Sequence, residues 1–295
     1  MSIGMDAQCY LCHLRRNVET ARSLGDEETA TAFAKALMEL YLTMPADKAS
    51  PTVAPATNAL FQKFYGLPAD RYRAEKEASN AFVMQRLDAI RERVVGAEDP
   101  LFAGIQMAIL GNYIDFSALQ GEVSFEKLDA LLDTAGDMKL DLEVYENLRQ
   151  KLSKAETLLY VTDNAGEIGF DRVLAEVMAE TYPNLKITFC VRGGPALNDA
   201  TRADAAAVGL PFPVIDNGNT VPGTDLDLLG QEAREAFGKA DLIFAKGQAN
   251  VETMLGCGYP IFYAFLIKCP RFIDRFQKPK LTPMLVWEQD ESKAV

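Results

Sequence analysis

The pattern of apolar positions divides the chain into two parts. Before about residue 156, apolar residues recur every three to four positions, which is the spacing of an amphipathic helix. The clearest stripes are Leu14, Val18, Ala21 and Leu24, and then Phe33, Leu37, Met38 and Tyr41. The pattern predicts helices over 14–24, 26–44, 57–65, 70–95, 99–116, 124–134 and 140–155, with a proline-marked loop over 45–55. We therefore expect an all-helical N-terminal domain over 1–155.

From residue 156 onward, short apolar runs alternate with helical stretches. The runs predict strands over 158–162, 185–191, 214–215, 241–245 and 261–267, and the stretches between them predict helices over 167–180, 201–208, 225–237 and 251–255. Continuously apolar strands that alternate with helices are typical of a parallel sheet covered on both faces. The expected fold class is α/β, with a Rossmann-like α/β/α sandwich and a mostly parallel sheet over 156–295.

Composition and charge narrow the classes of partner. The 295 residues carry a net charge of -12, and both nucleic acid and an anionic membrane surface require a cationic face on their partner. No apolar run approaches the 18 residues of a membrane-spanning helix, and the first residues do not resemble a signal peptide. The five cysteines are an odd number, which favours a reducing cytoplasm over a disulfide framework. The expected partner is a small molecule.

The single histidine, His13, disfavours hydrolases that depend on a Ser-His-Asp triad or a histidine-bound zinc. Cys9 and Cys12 have the spacing of a zinc pair, but no second pair exists at comparable spacing. Ordinary packing is therefore favoured for these cysteines over a metal or redox role, and His13 is expected on a helix surface.

Three polar loops follow predicted strands. Asp163 and Asn164 follow the first strand, and carboxylate and amide oxygens are ligands that suit Mg²⁺ and Mn²⁺. Gly166 permits a close turn, and the amides that open the next helix can face an anion. The alternative is a helix cap formed by Asp163 or Asn164 before the helix that begins near Glu167.

The second loop contains Asn198 and Asp199, and the third begins at Lys246. Taken singly, the second loop is better explained as a glycine-rich turn with Asn198 or Asp199 as N-cap, and Lys246 is better explained as a solvated lysine. Because the carboxyl ends of parallel strands meet at one edge of a sheet, the three loops are expected to form one site. Asn112 and Asp115, at a predicted helix end, are candidates for substrate contact or for helix capping.

The motifs at 163–167, 198–201 and 246–250 resemble the signatures of the DUF89 family of metal-dependent damage-control phosphatases, also called the ARMT1-like family. The segments 9–12 and 111–115 are similar to its prokaryotic, cysteine-containing branch. The resemblance covers nearly the whole chain. It implies a divalent metal ligated by Asp163, Asn164 and Asp199, and a contact between Lys246 and substrate phosphate.

The leading hypothesis is a cytoplasmic phosphatase that uses Mn²⁺, Co²⁺, Ni²⁺ or Mg²⁺ to hydrolyse small phosphorylated metabolites. In this hypothesis Lys246 and the amides near Gly166 stabilise charge on the transferred phosphoryl oxygens, and Asn198, Asn112 and Asp115 contact substrate. Glu167 orients or deprotonates water, or hydrogen-bonds the substrate. A metal-bound water and an Asp163 nucleophile remain alternative attacking groups.

Two rival functions use the same loops. One is a non-catalytic sensor of phosphometabolites or nucleotides. The other is an S-adenosylmethionine-dependent carboxyl methyltransferase, since that cofactor also suits a Rossmann-like sheet. The acidic residue expected at the end of the second strand for the cofactor's ribose is missing, because Val191 and Arg192 stand there.

Overall fold

A computed structural model describes residues 3–45, 47–113, 130, 132–133 and 135–289. The helices are α1 (Ala7–Leu24), α2 (Glu27–Thr43), α3 (Ala54–Tyr65), α4 (Arg73–Met84), α5 (Leu87–Val95), α6 (Pro100–Gly111), α7 (Leu142–Leu152), α8 (Glu167–Thr181), α9 (Arg202–Ala207), α10 (Gln231–Lys239), α11 (Gln248–Met254) and α12 (Pro270–Phe276). The strands are β1 (Thr157–Val161), β2 (Lys186–Val191), β3 (Val214–Asp216), β4 (Leu242–Lys246), β5 (Ile261–Leu266) and β6 (Pro283–Trp287). Short 3₁₀ turns occupy Ser50–Val53, Ala135–Asp137 and Leu226–Leu228. None of the described helices is long and apolar enough to cross a membrane.

The six strands form one sheet in the order β3-β2-β1-β4-β5-β6. The first five strands are parallel, and β6 runs antiparallel to β5 at the edge. Successive residues of β1 face opposite layers: Leu158 and Tyr160 pack in one apolar cluster, and Leu159 and Val161 pack in another. This confirms the predicted α/β/α sandwich with a mostly parallel sheet.

The N-terminal helices cover one end and one face of this sandwich. Helices α1 to α3 bury an apolar cluster of their own around Phe33 and Phe61. Helices α4 to α7 instead share the cluster that contains Tyr160 of β1 and Phe170 of α8. Helix α6 packs extensively along α8, which brings its last turn to the carboxyl edge of the sheet. The helical region thereby reaches the loops that carry the candidate chemistry.

The five predicted strands are confirmed within one or two residues, but other predictions differ from the structure, and neither α12 nor β6 was predicted. The predicted helix over 70–95 is two helices, because the backbone tightens at Arg86, whose N–H bonds the Val83 carbonyl at 2.9 Å. The helix predicted to begin at Asp225 begins at Gln231 after a 3₁₀ turn. Strand β6 was not predicted, because its apolar run is short and follows the last strand–helix alternation. The predicted helix over 124–134 lies largely outside the described residues.

Candidate active site

The candidate site lies between β1 and β4, where the order in which the strands are added to the sheet changes direction. Strand β1 has β2 on one side and β4 on the other, so the carboxyl ends of β1 and β4 are adjacent, with Val161 paired to Ala245. Ligands of open α/β sheets bind at such a reversal, outside the carboxyl ends of the strands. Asp163 lies two residues beyond β1, and Lys246 is the last residue of β4.

Gly247 allows the β4 loop to approach Asp163 closely. Its φ is +80°, and a Cβ at this position would stand 1.9 Å from Asp163 Oδ2. Asp163 Oδ2 also accepts hydrogen bonds from the side-chain amides of Asn112 at 2.8 Å and Asn164 at 2.9 Å. The first and third polar loops therefore meet at this carboxylate, as expected from the sequence.

Gly166 makes the turn between β1 and α8. Its φ is +76°, and a Cβ would lie 2.7 Å from the Ser79 Cβ. The Gly166 N–H donates to Asn80 Oδ1 at 2.7 Å, which ties the turn to α4. The amides near Gly166 were expected to face phosphate, but the Gly166 amide is bonded to Asn80 instead, because α4 packs against this turn.

The second polar loop is joined to the first through the backbone. Asn164 and Asp199 form an isolated antiparallel bridge. The Ala165 N–H donates to the Asn198 carbonyl at 2.9 Å, and the Ala200 N–H donates to the Asp163 carbonyl at 2.7 Å. The three proposed metal ligands, Asp163, Asn164 and Asp199, therefore lie on two loops that are bonded to each other.

Hydrogen bonds fix the orientation of the Asn164 amide. Its Nδ2 donates to Asp163 at 2.9 Å and to Glu167 Oε2 at 2.7 Å, and its Oδ1 accepts from Asn198 Nδ2 at 2.8 Å. The remaining amide oxygen, Asn198 Oδ1, is buried and has no hydrogen-bond partner within the described part of the chain. A buried oxygen without a partner is uncommon in a folded protein and indicates a place for a ligand, water or ion.

Glu167 is fully buried, and its carboxylate is surrounded by donors. It accepts hydrogen bonds from Asn112 Nδ2, Asn164 Nδ2 and Lys246 Nζ, at 2.9, 2.7 and 2.7 Å for the shortest of each. These contacts orient Asn112 and Asn164 toward Asp163. Of the roles that the sequence left open for Glu167, this geometry favours orientation of neighbouring side chains.

The Lys246 ammonium is fully buried and makes three contacts within the protein. It donates to the Ala108 carbonyl at 2.7 Å and to Glu167 Oε1 at 2.7 Å, and it lies 3.1 Å from Asp171 Oδ1. Burial by itself lowers the pKa of Lys246, but the carboxylates of Asp171 and Glu167 outweigh it and raise the pKa above the ordinary value. An ammonium has three N–H donors, so a contact with substrate phosphate would require exchange of one of these partners.

Asp171 was missed by the reasoning from sequence. It lies one helical turn after Glu167 in α8, and Tyr160 in β1 donates its hydroxyl to Asp171 Oδ1 at 2.8 Å. Burial raises the pKa of Asp171 to about 7, and Glu167 adds to the rise while Lys246 opposes it. The available signal was the four-residue spacing of Glu167 and Asp171, which places two acids on one helix face.

Arg192 was also missed as part of the site, although its position directly after β2 is apparent in the sequence. Its side chain is buried, with Nε 2.7 Å from Asp199 Oδ2 and Nη2 2.9 Å from the Thr162 carbonyl. The Gly223 N–H donates to the same Asp199 oxygen at 3.2 Å. Two elements therefore hold Asp199 in place. A long cationic side chain at the end of an apolar strand was the signal that could have revealed this.

The chemistry of these residues fits a divalent cation held by Asp163, Asn164 and Asp199. Within the described chain no three His, Cys, Asp or Glu side chains are grouped for a metal ion, and this set consists of two carboxylates and an amide. Hard oxygen donors of this kind suit Mg²⁺ and Mn²⁺. Two further buried carboxylates, Glu167 and Asp171, face Lys246, so in the contacts described above four acids face two cations, Lys246 and Arg192. An added cation would offset the excess negative charge.

The other sequence candidates lie in different places. Asn112 reaches the site and bonds Asp163 and Glu167, and its Oδ1 accepts the Leu266 N–H at 3.2 Å. Asp115 lies outside the described residues. Cys12 is exposed, whereas Cys9 is buried and accepts a hydrogen bond from Arg271 at 3.5 Å.

The surface position expected for His13 was wrong. The imidazole is buried and is hydrogen-bonded to Ser50 Oγ at 2.7 Å, because helix α1 packs against the 3₁₀ turn of the proline-marked loop. Residue spacing within α1 could not reveal this packing partner.

Comparison with known proteins finds relatives of similar sequence and fold. A curated damage-control phosphatase of Pyrococcus horikoshii is 37% identical over 60% of this chain and 61% of its own length. A damage-control phosphatase of Archaeoglobus fulgidus is 29% identical over 88% of this chain and 91% of its own length. The crystal structure of a DUF89 family protein from Pyrococcus horikoshii superposes with a TM-score of 0.81 at 28% identity, over 97% of this chain and 99% of that one. The names of these relatives support a phosphatase role. The model of the damage-control phosphatase ARMT1-like domain matches residues 5–281, and the chain belongs to this family.

Proposed function

We propose that this protein is a divalent-metal-dependent phosphatase that hydrolyses phosphomonoesters of small metabolites, such as sugar phosphates or phosphopantetheine-like compounds. The observation that carries the proposal is the convergence of Asp163, Asn164 and Asp199 at the carboxyl edge of β1 and β2, beside the buried carboxylates of Glu167 and Asp171. The phosphatase names of relatives in the same family support the reaction class.

The proposed cation is Mn²⁺, Co²⁺, Ni²⁺ or Mg²⁺. When bound, such an ion polarises a phosphoryl oxygen and lowers the pKa of a coordinated water. Asp163, Asn164 and Asp199 would hold it, and Asn198, whose buried Oδ1 has no partner within the described residues, would meet a ligand on the same side.

The surrounding residues preorganise these ligands. Asn112 and Asn164 fix one oxygen of Asp163, and Arg192 fixes one oxygen of Asp199. Metal ligands that neighbouring side chains already orient through hydrogen bonds need not move when the reaction begins, and this preorganisation lowers the activation free energy.

Glu167 and Lys246 complete the polar wall of the site. Glu167 holds the Asn164 amide, and the Lys246 ammonium forms a buried ion pair with Glu167 at 2.7 Å. If a substrate phosphate replaced one partner of Lys246, it would form the contact between Lys246 and phosphate that the family resemblance implies.

Hydrolysis of p-nitrophenyl phosphate with each metal, before and after chelation, tests the proposal. We expect activity to depend on the metal and to fall by about 100-fold or more in Asp163→Ala and Asp199→Ala. Asp241→Ala is the matched control, because Asp241 is an acid at the opposite, amino end of β4. Unchanged activity in the two site variants would exclude the assignment.

The rival functions give different results in the same assays. A sensor would be stabilised by a phosphometabolite without turnover. For a methyltransferase, calorimetry would detect S-adenosylmethionine binding. The end of β2, where that cofactor's ribose would need an acid, instead carries the buried Arg192 paired with Asp199. All five cysteines are free thiols, which supports the proposed cytoplasmic location.

A further inference from the structure

A continuous chain of buried polar contacts extends from the core of the sheet to the proposed metal ligands. It begins at the Tyr160 hydroxyl, 2.8 Å from Asp171, and continues through Lys246, 3.1 Å from the same Asp171 oxygen. Lys246 then contacts Glu167 at 2.7 Å, and Glu167 contacts the Asn164 amide at 2.7 Å. None of these groups relies on solvent for its partner.

Of the two acids in this series of contacts, Asp171 is the one that contacts none of the proposed metal ligands. Its Oδ1 takes both the Tyr160 and the Lys246 contacts, and its Oδ2 is buried with no hydrogen-bond partner within the described residues. Burial of a charge with incomplete hydrogen bonding lowers stability. We therefore expect this carboxylate to have a role other than stabilising the fold.

The direction of Lys246 depends on this carboxylate. Lys246 enters from β4, Glu167 and Asp171 lie one turn apart on α8, and Tyr160 lies on β1 between the two elements. With both acids present, the ammonium is held between two consecutive turns of α8. Without Asp171, only Glu167 and the Ala108 carbonyl would direct it.

We propose that Asp171 is a positioning residue, which with Tyr160 holds Lys246 against Glu167 and so fixes the Asn164 amide beside Asp163. This rests on the proposed phosphatase function for its kinetic consequence, but not for its effect on metal binding. Asp171 acts through Lys246 and Glu167, and it does not contact substrate.

The environment of Asp171 also gives it a distinctive titration. The charged and titratable groups that face it are Lys246 from β4, Glu167 from its own helix and Tyr160 from β1. Its pKa is about 7, raised chiefly by burial, so its charge changes near neutral pH. The strength of its hold on Lys246 therefore changes in the same range.

Variants at residue 171 test the proposal through kinetics and metal affinity. Asp171→Leu removes the acceptor oxygens at similar volume, and we expect kcat for p-nitrophenyl phosphate to fall about 30-fold or more with KM changed less than about threefold. Asp171→Asn keeps an acceptor for Lys246 and Tyr160 but is neutral, like the protonated acid. We expect its kcat to lie between those of Asp171→Leu and the wild type and to lack the inflection near pH 7. Mn²⁺ affinity, measured by calorimetry, should fall about tenfold in Asp171→Leu.

Glu288→Gln is the matched control, because Glu288 is another buried acid that accepts a tyrosine hydroxyl, from Tyr263 at 2.9 Å, outside the site. We expect it to lower thermal stability without changing kcat, the pH profile or Mn²⁺ affinity. If folded Asp171→Leu retained wild-type kcat and Mn²⁺ affinity, or if Glu288→Gln lost as much of both, the positioning role would be refuted.

Two further results separate the alternatives. If Asp171→Leu does not fold, Tyr160→Phe decides, because it removes the hydroxyl that lies 2.8 Å from Asp171, and wild-type kcat and Mn²⁺ affinity in that folded variant would overturn the proposal. If the wild type hydrolyses no phosphomonoester, the proposed function fails, and weaker Mn²⁺ binding in Asp171→Leu alone would still support the positioning role.

Discussion

Lys246 and Glu167 form a fully buried ion pair at 2.7 Å, at the centre of the contacts that hold the proposed metal ligands. The pair joins the end of β4 to the first turn of α8. Because both side chains are excluded from water, neither charge has an alternative partner in solvent. The stability of this edge of the sheet and the proposed phosphatase reaction therefore both depend on the Lys246–Glu167 ion pair.

Removal of Lys246 should destabilise the whole fold. Lys246→Met leaves Glu167 and Asp171 buried without their cation, and we expect the free energy of unfolding to fall by about 3–5 kcal/mol. Urea denaturation followed by circular dichroism measures this. Lys239→Met is the control, because Lys239 pairs with Glu235 at 3.0 Å on the surface, and its loss should stay within about 0.5 kcal/mol. A loss below about 1 kcal/mol for Lys246→Met would contradict the structural role of the buried pair.

Gly247→Ala should damage the site more than the fold. Its Cβ would stand 1.9 Å from Asp163 Oδ2, so the carboxylate must move. We expect kcat/KM for p-nitrophenyl phosphate to fall by about 100-fold, since a displacement of about 1 Å has effects of this size.

Gly258→Ala is the matched control for Gly247→Ala. Gly258 has a φ of +82°, close to the +80° of Gly247, but its Cβ would meet no atom within 4 Å. Both variants place an alanine at a positive φ, which costs roughly 1–3 kcal/mol, and only Gly247→Ala should lose activity. Equal activity in the two variants would show that Asp163 is not placed by this contact.

Arg192→Met should weaken metal binding through Asp199. The change removes the guanidinium that lies 2.7 Å from Asp199 Oδ2, and loss of such a supporting contact weakens metal affinity by about 10- to 100-fold. Mn²⁺ titration by calorimetry measures the effect. Arg202→Met, which removes a half-exposed arginine paired with Asp216, should leave the affinity unchanged. Similar Mn²⁺ affinities in all three proteins would argue against Asp199 as a ligand.

His13 should make the fold sensitive to acid. Burial, with a smaller contribution from the nearby Arg16, lowers the pKa of His13 to about 3. Above the ordinary pKa of about 6.5, the imidazole is neutral in both states and its contribution to stability is complete. As the pH falls from about 6.5 toward 3, only the unfolded state takes up the proton, so stability is lost at about 1.4 kcal/mol per pH unit.

The His13→Gln variant isolates this contribution. Its amide can keep a hydrogen bond to Ser50 and does not titrate. The difference in unfolding free energy between the variant and the wild type, measured from pH 7 to pH 4, should change in favour of the variant as the pH falls. A difference that stays constant with pH would mean that His13 titrates normally in the folded protein.

The sequence by itself determined the sheet and the convergence of polar loops. Strands with continuous apolar runs, such as 158–161 in β1 and 242–245 in β4, are favourable only when both faces are covered, so the pattern indicated a parallel sheet between helices. Once the strands were parallel, their carboxyl ends had to share one edge. Asp163, Asp199 and Lys246 could therefore be assigned to one site before any contact was known.

The tertiary structure alone decided what each polar side chain does there. The sequence carries no sign that the Gly166 amide is bonded to Asn80 or that Lys246 has three partners in the protein. The positions of Asp171 and Arg192 are visible in the sequence, but the side chains that they contact are not. These contacts join residues that are far apart in the chain, such as Asn80 and Gly166. Local spacing constrains only neighbours along a helix or strand, whereas the partners of a buried charge are set by which elements pack together.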